Sequence, residues 1–274
     1  MDKLAVFKKA KNYALYYGTG KEEKLAAFDV VIVEPSVYNE DSLKRIKDSG
    51  TLVLAYLSVM ELRPAAPEIR LLKDADFLNI AGRQLINEEY GNYLLDLRSN
   101  RWRGLLSHRA GSLMENSGYD GLFLDTIGDI ESVSIASKVR DSLMMAAVNI
   151  ISQLKNNFPN SILIQNCGLE ILCTLTSRLI NGICWENPPL AKKTSRQWVN
   201  AVTSRLTHLR DRHGLKILLL VEENRETYSD TGDFNMDSYF QAARKIAVSN
   251  GFLLYRAPFC YVGGVNSPCN IPEN

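Results

Sequence analysis

Short apolar runs recur along the chain, separated by longer stretches in which apolar and polar positions alternate with helical spacing. The apolar runs cover 13–17, 30–33, 52–57, 121–124, 162–165, 182–185, 217–221 and 252–255. Most are continuously apolar, the pattern of parallel strands covered on both faces. Helices are predicted over 41–49, 102–117, 132–157, 170–178, 196–213 and 237–250. Gly50, Gly118, Gly214 and Gly251 each stand just past a helical segment, where a left-handed cap ends the helix.

Eight strands alternating with helices predict an α/β fold, a (β/α)8 TIM barrel. An open doubly wound sheet is the alternative, but it binds nucleotide through a Gly-rich first turn. Gly18-Thr19-Gly20 lacks the third glycine of that fingerprint. Residues 63–101 break the rhythm and read as an insertion after the third strand, with an extra strand-like piece at 93–97. No linker or repeat divides the chain, so a single domain over 1–274 is expected.

Composition narrows the function. The chain has 274 residues, with 32 Lys and Arg against 31 Asp and Glu. That balance argues against nucleic acid as a partner, because phosphate contacts need clustered cations. No apolar run approaches the ~18 residues of a membrane span. Residues 1–9 carry charges and no apolar h-region, so no signal peptide is read and a cytoplasmic location is the default. The five cysteines form no CxxC and have no histidine at zinc spacing. Free thiols are expected, with a Cys260–Cys269 hairpin disulfide as an option in an oxidising compartment. Neither metal nor cofactor is expected.

In a barrel the site forms at the C-terminal strand ends. Five of those ends carry carboxylates: Glu34, Glu61, Asp125 with Asp129, Glu186 and Glu222. One such carboxylate is often a helix N-cap, but several converging ones raise each other's pKa values. His108, His208 and His213 all fall in helical segments, which argues against a Ser-His-Asp triad or a His-built zinc site. What remains is carboxylate chemistry, in which one group protonates a leaving oxygen and another attacks or activates water. Tyr16, Tyr17, Tyr56, Trp185 and Tyr255 lie near the same rim. They are candidates to stack on sugar rings or, equally, to finish the core.

Several of these segments resemble glycoside hydrolase family 114, which contains endo-α-1,4-polygalactosaminidases. They are Tyr16-Tyr17-Gly18, the run 29–35, the run 55–61, Leu95-Asp96-Leu97 with Trp102-Arg103, and Gly118-Tyr119-Asp120-Gly121-Leu122-Phe123-Leu124-Asp125. Weaker matches continue at Gln165-Asn166 and Trp185-Glu186. The resemblance implies an eight-unit barrel in which an acidic pair cleaves α-linked galactosamine polymers. It places that pair on Asp125 and Glu186, with Glu186 as acid/base and Asp125 as nucleophile or base, or the reverse. Tyr16, Glu34, Tyr56, Glu61, Asn166, Trp185 and Glu222 become candidate substrate-binding residues. Met60 stands where the family commonly has a small residue, and Glu34 where it has Asp. The resemblance also implies an extracytoplasmic enzyme. The acidic rim suits a cationic amino-sugar oligo- or polysaccharide as partner. Two other readings stay open: a carbohydrate-binding barrel without catalysis, and a polysaccharide-modifying enzyme of another reaction class.

Overall fold

The computed structural model describes residues 2–223 and 235–271. All eight expected strands form: β1 (Tyr13–Tyr16), β2 (Val30–Val33), β3 (Leu52–Ser58), β4 (Gly121–Asp125), β5 (Ile162–Asn166), β6 (Gly182–Glu186), β7 (Lys216–Glu222) and β8 (Leu253–Ala257). They pair in chain order and every pair is parallel. The result is a nearly closed TIM barrel. Strand residues such as Val31, Leu54, Leu122, Ile164 and Leu219 are fully buried, as continuous apolar runs require.

The helices are α1 (Lys3–Lys9), α2 (Glu22–Leu25), α3 (Glu40–Lys47), α4 (Asn100–Gly111), α5 (Asp129–Ser132), α6 (Ser137–Asn157), α7 (Leu172–Thr176), α8 (Arg196–His213) and α9 (Met236–Asn250). Gly50, Gly118, Gly214 and Gly251 adopt positive φ at the predicted helix ends. Two differences from expectation have local causes. The helix expected over 132–157 begins only at Ser137, because Val133 ends the short α5 in an extended conformation. The Arg140 guanidinium then caps the exposed carbonyls of Ile130 and Val133. Helix α1 was not expected. Asp2 caps it by accepting from Leu4 and Ala5 N–H, and Phe7 is buried beneath the barrel.

The insertion adds two strands (Asn92–Leu94 and Ile86–Asn87) to Glu61–Leu62, just before it, to make a three-stranded antiparallel sheet, and carries a hairpin of Asn79–Ile80 with Arg83–Gln84. The strand expected at 93–97 is Asn92–Leu94. Much of the Gly-Tyr-Asp-Gly motif serves the fold. Asp120 Oδ2 accepts from Val53 N–H at 3.0 Å, and its Oδ1 lies 3.0 Å from both Lys3 Nζ and Lys47 Nζ. A side chain on Gly121 would come within 2.0 Å of the Ile162 carbonyl, so β4 and β5 approach closely only with glycine there.

Among the described residues no ladder joins β1 to β8. The C-terminal segment bridges that seam instead. Cys269 forms an antiparallel bridge with Leu254. Asn12 Nδ2 donates to Asn270 Oδ1 at 2.9 Å, and Tyr17 N–H to the Tyr261 carbonyl at 2.8 Å. All five cysteines are free, so Cys260 and Cys269 do not close a hairpin. No helix among the described residues is long and apolar enough to cross a membrane.

Candidate active site

The ends of β4, β5 and β6 share one device. Each strand finishes on a polar residue (Asp125, Asn166, Glu186) and the next residue turns left-handed: Thr126 (φ 61), Cys167 (φ 54) and Asn187 (φ 48). Such backbone costs of order 1–3 kcal/mol at each non-glycine residue and persists only where the surroundings hold it. Thr126 Oγ1 accepts from the N–H groups of Val59, Met60 and Glu61. Cys167 N–H donates to the Cys184 carbonyl. Asn187 N–H donates to the Leu220 carbonyl, and its Oδ1 accepts from Glu222 N–H. The three polar side chains are thereby aimed at one point.

At that point Asn166 joins the two acids. Its Nδ2 donates to Asp125 Oδ1 and to Glu186 Oε2, each at 2.6 Å. The reverse amide orientation would set an oxygen against both carboxylates. Asn166 is buried, and its Oδ1 has no hydrogen-bond partner among the described residues. Burial raises the Asp125 pKa, opposed by hydrogen bonds from Asn166, Tyr56 and the Thr126 backbone. The Tyr56 phenol is itself pushed well up by burial and stays a donor.

A second carboxyl pair lies beside the first. Glu61, 4 % exposed, accepts from Asn87 Nδ2 and Asn92 Nδ2 of the insertion. Asp129, at the start of α5, faces Glu61. Burial first, then the charges of Glu61 and Asp125, push it up to about 8. These groups line a cavity of about 490 Å³ with Tyr17, Tyr56, Glu222 and Tyr261. Six carboxyl groups border it (Glu61, Glu89, Asp125, Asp129, Glu186, Glu222), and no lysine or arginine is among the described lining residues. A second hollow of about 740 Å³ shares Tyr17, Tyr56, Glu61 and Asn92 with it, extending the cleft toward Glu34.

Of the residues proposed from sequence, Asp125, Glu186, Asn166, Tyr56, Glu61 and Glu222 meet in this cleft. Glu34 borders the adjoining hollow, where its carboxylate caps a 3-10 turn by accepting from Ser36 N–H. Glu222 is buried, and its Oε1 accepts from Cys260 N–H at 2.7 Å. Tyr16 and Trp185 are not brought in. Successive strand residues face opposite ways, so where Tyr17 and Glu186 face the cleft their neighbours face outward. The Tyr16 hydroxyl donates to the Thr19 carbonyl, and Trp185 packs edge-on against Trp198 of α8. Tyr255 is fully buried and its hydroxyl accepts from Asn266 N–H. The sequence reading missed Asn87, Asn92, Asn187 and Tyr261. None sits in a strand of the barrel, and no short motif marks any of them.

An eight-stranded barrel with paired carboxyl groups at the carboxyl ends of its strands is an arrangement that glycoside hydrolysis can use. The chain belongs to glycoside-hydrolase family GH114, whose family model matches residues 3–186. Two solved structures share the fold. The glycoside hydrolase domain of PelA from Pseudomonas aeruginosa is 22% identical with a TM-score of 0.72, covering 91% of this chain and 95% of that one. Ega3 from Aspergillus fumigatus, solved in complex with galactosamine, is 12% identical with a TM-score of 0.71, covering 95% of each chain. An α-galactosidase from Thermus thermophilus is more distant, at 14% identity and a TM-score of 0.60, covering 95% of this chain and 66% of that one. No curated protein matches the chain by sequence.

Proposed function

We propose that this glycoside hydrolase cleaves α-1,4-linked galactosamine polymers internally, with Asp125 as nucleophile and Glu186 as acid/base. The observation that carries this reading is the Asn166 bridge. Two oxygens each 2.6 Å from one nitrogen are at most about 5.2 Å apart, closer than the roughly 6.5–9.5 Å that leaves room for water in an inverting pair, which supports retention. Glu186 gives its proton to the glycosidic oxygen as an Asp125 oxygen bonds to the anomeric carbon and the leaving sugar departs. Glu186 then takes a proton from water, and the resulting hydroxide displaces Asp125. The donors to Asp125 from Asn166, Tyr56 and Thr126 favour its ionised form, as a nucleophile needs. A cavity bordered by six carboxyl groups suits a sugar bearing ammonium groups, and the galactosamine bound to Ega3 belongs to that class.

The test is turnover of partially deacetylated polygalactosamine, with products followed by mass and proton NMR. Asp125→Asn and Glu186→Gln are expected to lose roughly 100-fold or more of activity while staying folded. The first product should keep the α configuration. Wild-type rates in both variants would refute the pair, and a β product would refute retention. Binding without any new reducing ends would favour the carbohydrate-binding reading.

A further inference from the structure

We propose that Tyr261, on the turn after β8, is a positioning residue that holds Glu186 in place and sets the pH range over which it carries a proton. The inference rests on the role of Glu186 proposed above. Tyr261 lies outside the stretch that matches the family, which ends at residue 186.

Hydrogen-bond bookkeeping at the phenol leaves its proton one destination. The oxygen accepts from Asn187 Nδ2 at 3.2 Å. The proton can then go to Glu186 Oε1, which is in very short contact, or toward Glu222 Oε2 at 3.5 Å. Distance selects Glu186. The other Glu186 oxygen accepts from Asn166, so the carboxylate is gripped at both oxygens. Burial and the charges of Glu186 and Glu222 keep the phenol protonated, and hence a donor, across the working pH range.

The backbone around Tyr261 is arranged for this. Cys260 (φ 52) and Tyr261 (φ 58) are two successive left-handed non-glycine residues. Contacts on both sides hold them: Cys260 N–H donates to Glu222 Oε1, and the Tyr261 carbonyl accepts from Tyr17 N–H. The Tyr261 ring also packs edge-on against Tyr17, with centroids 5.3 Å apart. Strained backbone over-determined by its surroundings marks a side chain whose direction matters.

Other groups facing Glu186 set the background against which the phenol acts. Among the described residues the acids are Asp125, Asp129 and Glu222. The neutral groups are Tyr13, Tyr17 and the thiols of Cys167 and Cys184. The acids favour a protonated Glu186, whereas the Tyr261 hydrogen bond favours its ionised form. Tyr261 therefore opposes the acids of the cleft.

Tyr261→Phe removes one hydroxyl and leaves the ring. Two readouts are needed. The first is a carbon-13 carboxyl NMR titration, with the Glu186 signal assigned by its loss in Glu186→Gln. The Glu186 midpoint should rise by about one unit in Tyr261→Phe, a tenfold change in the proton dissociation constant. The second is the pH–rate profile on the galactosamine polymer. Its basic limb should move up by the same amount, with kcat lower by about tenfold or more at the optimum and KM within about twofold. Matched thermal melts confirm the fold. An unchanged midpoint overturns the proposal, because a tyrosine that merely packs on Tyr17 would not move it. A shifted midpoint in an enzyme without turnover would sustain the positioning role and sink the glycosidase assignment, so the two failures are distinguishable.

Discussion

At the scale of single residues, Asp129 shows how burial becomes behaviour. In the native state it keeps its proton up to about pH 8, whereas an unfolded aspartate loses it near 4. Between those values the native state binds more protons than the unfolded chain, so stability falls as pH rises. Asp125 is shifted in the same direction and contributes the same sign. Asp129→Asn removes one of the two contributions. Its melting temperature should fall less steeply from pH 5 to pH 8 than that of the wild type, by several degrees at roughly 2–4 °C per kcal/mol. Parallel slopes in calorimetry would mean that Asp129 is already ionised at pH 5. The residue scale is also where the sequence was hardest to read. Tyr16 and Tyr17 are adjacent tyrosines in a run buried on both faces, and an uninterrupted apolar strand carries no alternation to reveal which of them faces the cleft. Trp185 and Glu186 pose the same problem one strand pair at a time.

At the scale of elements, the junctions do more than the strands. Thr126 ties the end of β4 to the turn after β3 by accepting from three consecutive N–H groups, those of Val59, Met60 and Glu61. Thr126→Val keeps the β-branched shape, and with it the same left-handed strain, but removes the acceptor. Val59 N–H retains its bond to the Asp125 carbonyl, so two amides lose a partner. Urea denaturation should show a loss of about 1–3 kcal/mol, and an unchanged midpoint would mean that water replaces the hydroxyl without cost. All eight barrel strands were legible in the sequence because both faces are covered, which writes each one as a largely apolar run, and β2 to β7 are each closed or followed by a polar residue. The converging acids were legible for the same reason. Helix α1 was not, since it is short, carries charges on most sides and buries only Phe7. Tyr261 was not legible either. Its position depends on two left-handed residues that no glycine or asparagine announces.

At the scale of the whole molecule, a net charge of +1 hides a segregation. The cleft is lined by carboxyl groups, while a hollow at the N-terminal ends of the strands is lined by Lys8, Lys155, Arg178, Arg212 and His213. For the cationic polymer proposed above, the carboxyl-lined end of the barrel would attract it and the other end repel it. Raising ionic strength from about 0.01 to 0.15 M shortens the screening length from roughly 30 to 8 Å, so kcat/KM on the cationic polymer should fall several-fold, chiefly through KM. A flat salt profile would remove the electrostatic part of the substrate assignment. The seam between β1 and β8 has a consequence of another kind. Synthesis runs from the N-terminus, so β1 emerges first, and the residues that bridge it to β8 (Tyr261, Cys269 and Asn270) emerge after every strand has been made. The bridging contacts across that seam can therefore form only after all eight strands have been made. The Tyr261 hydroxyl that contacts Glu186 belongs to that same last stretch of chain, so it is made after both Asp125 and Glu186.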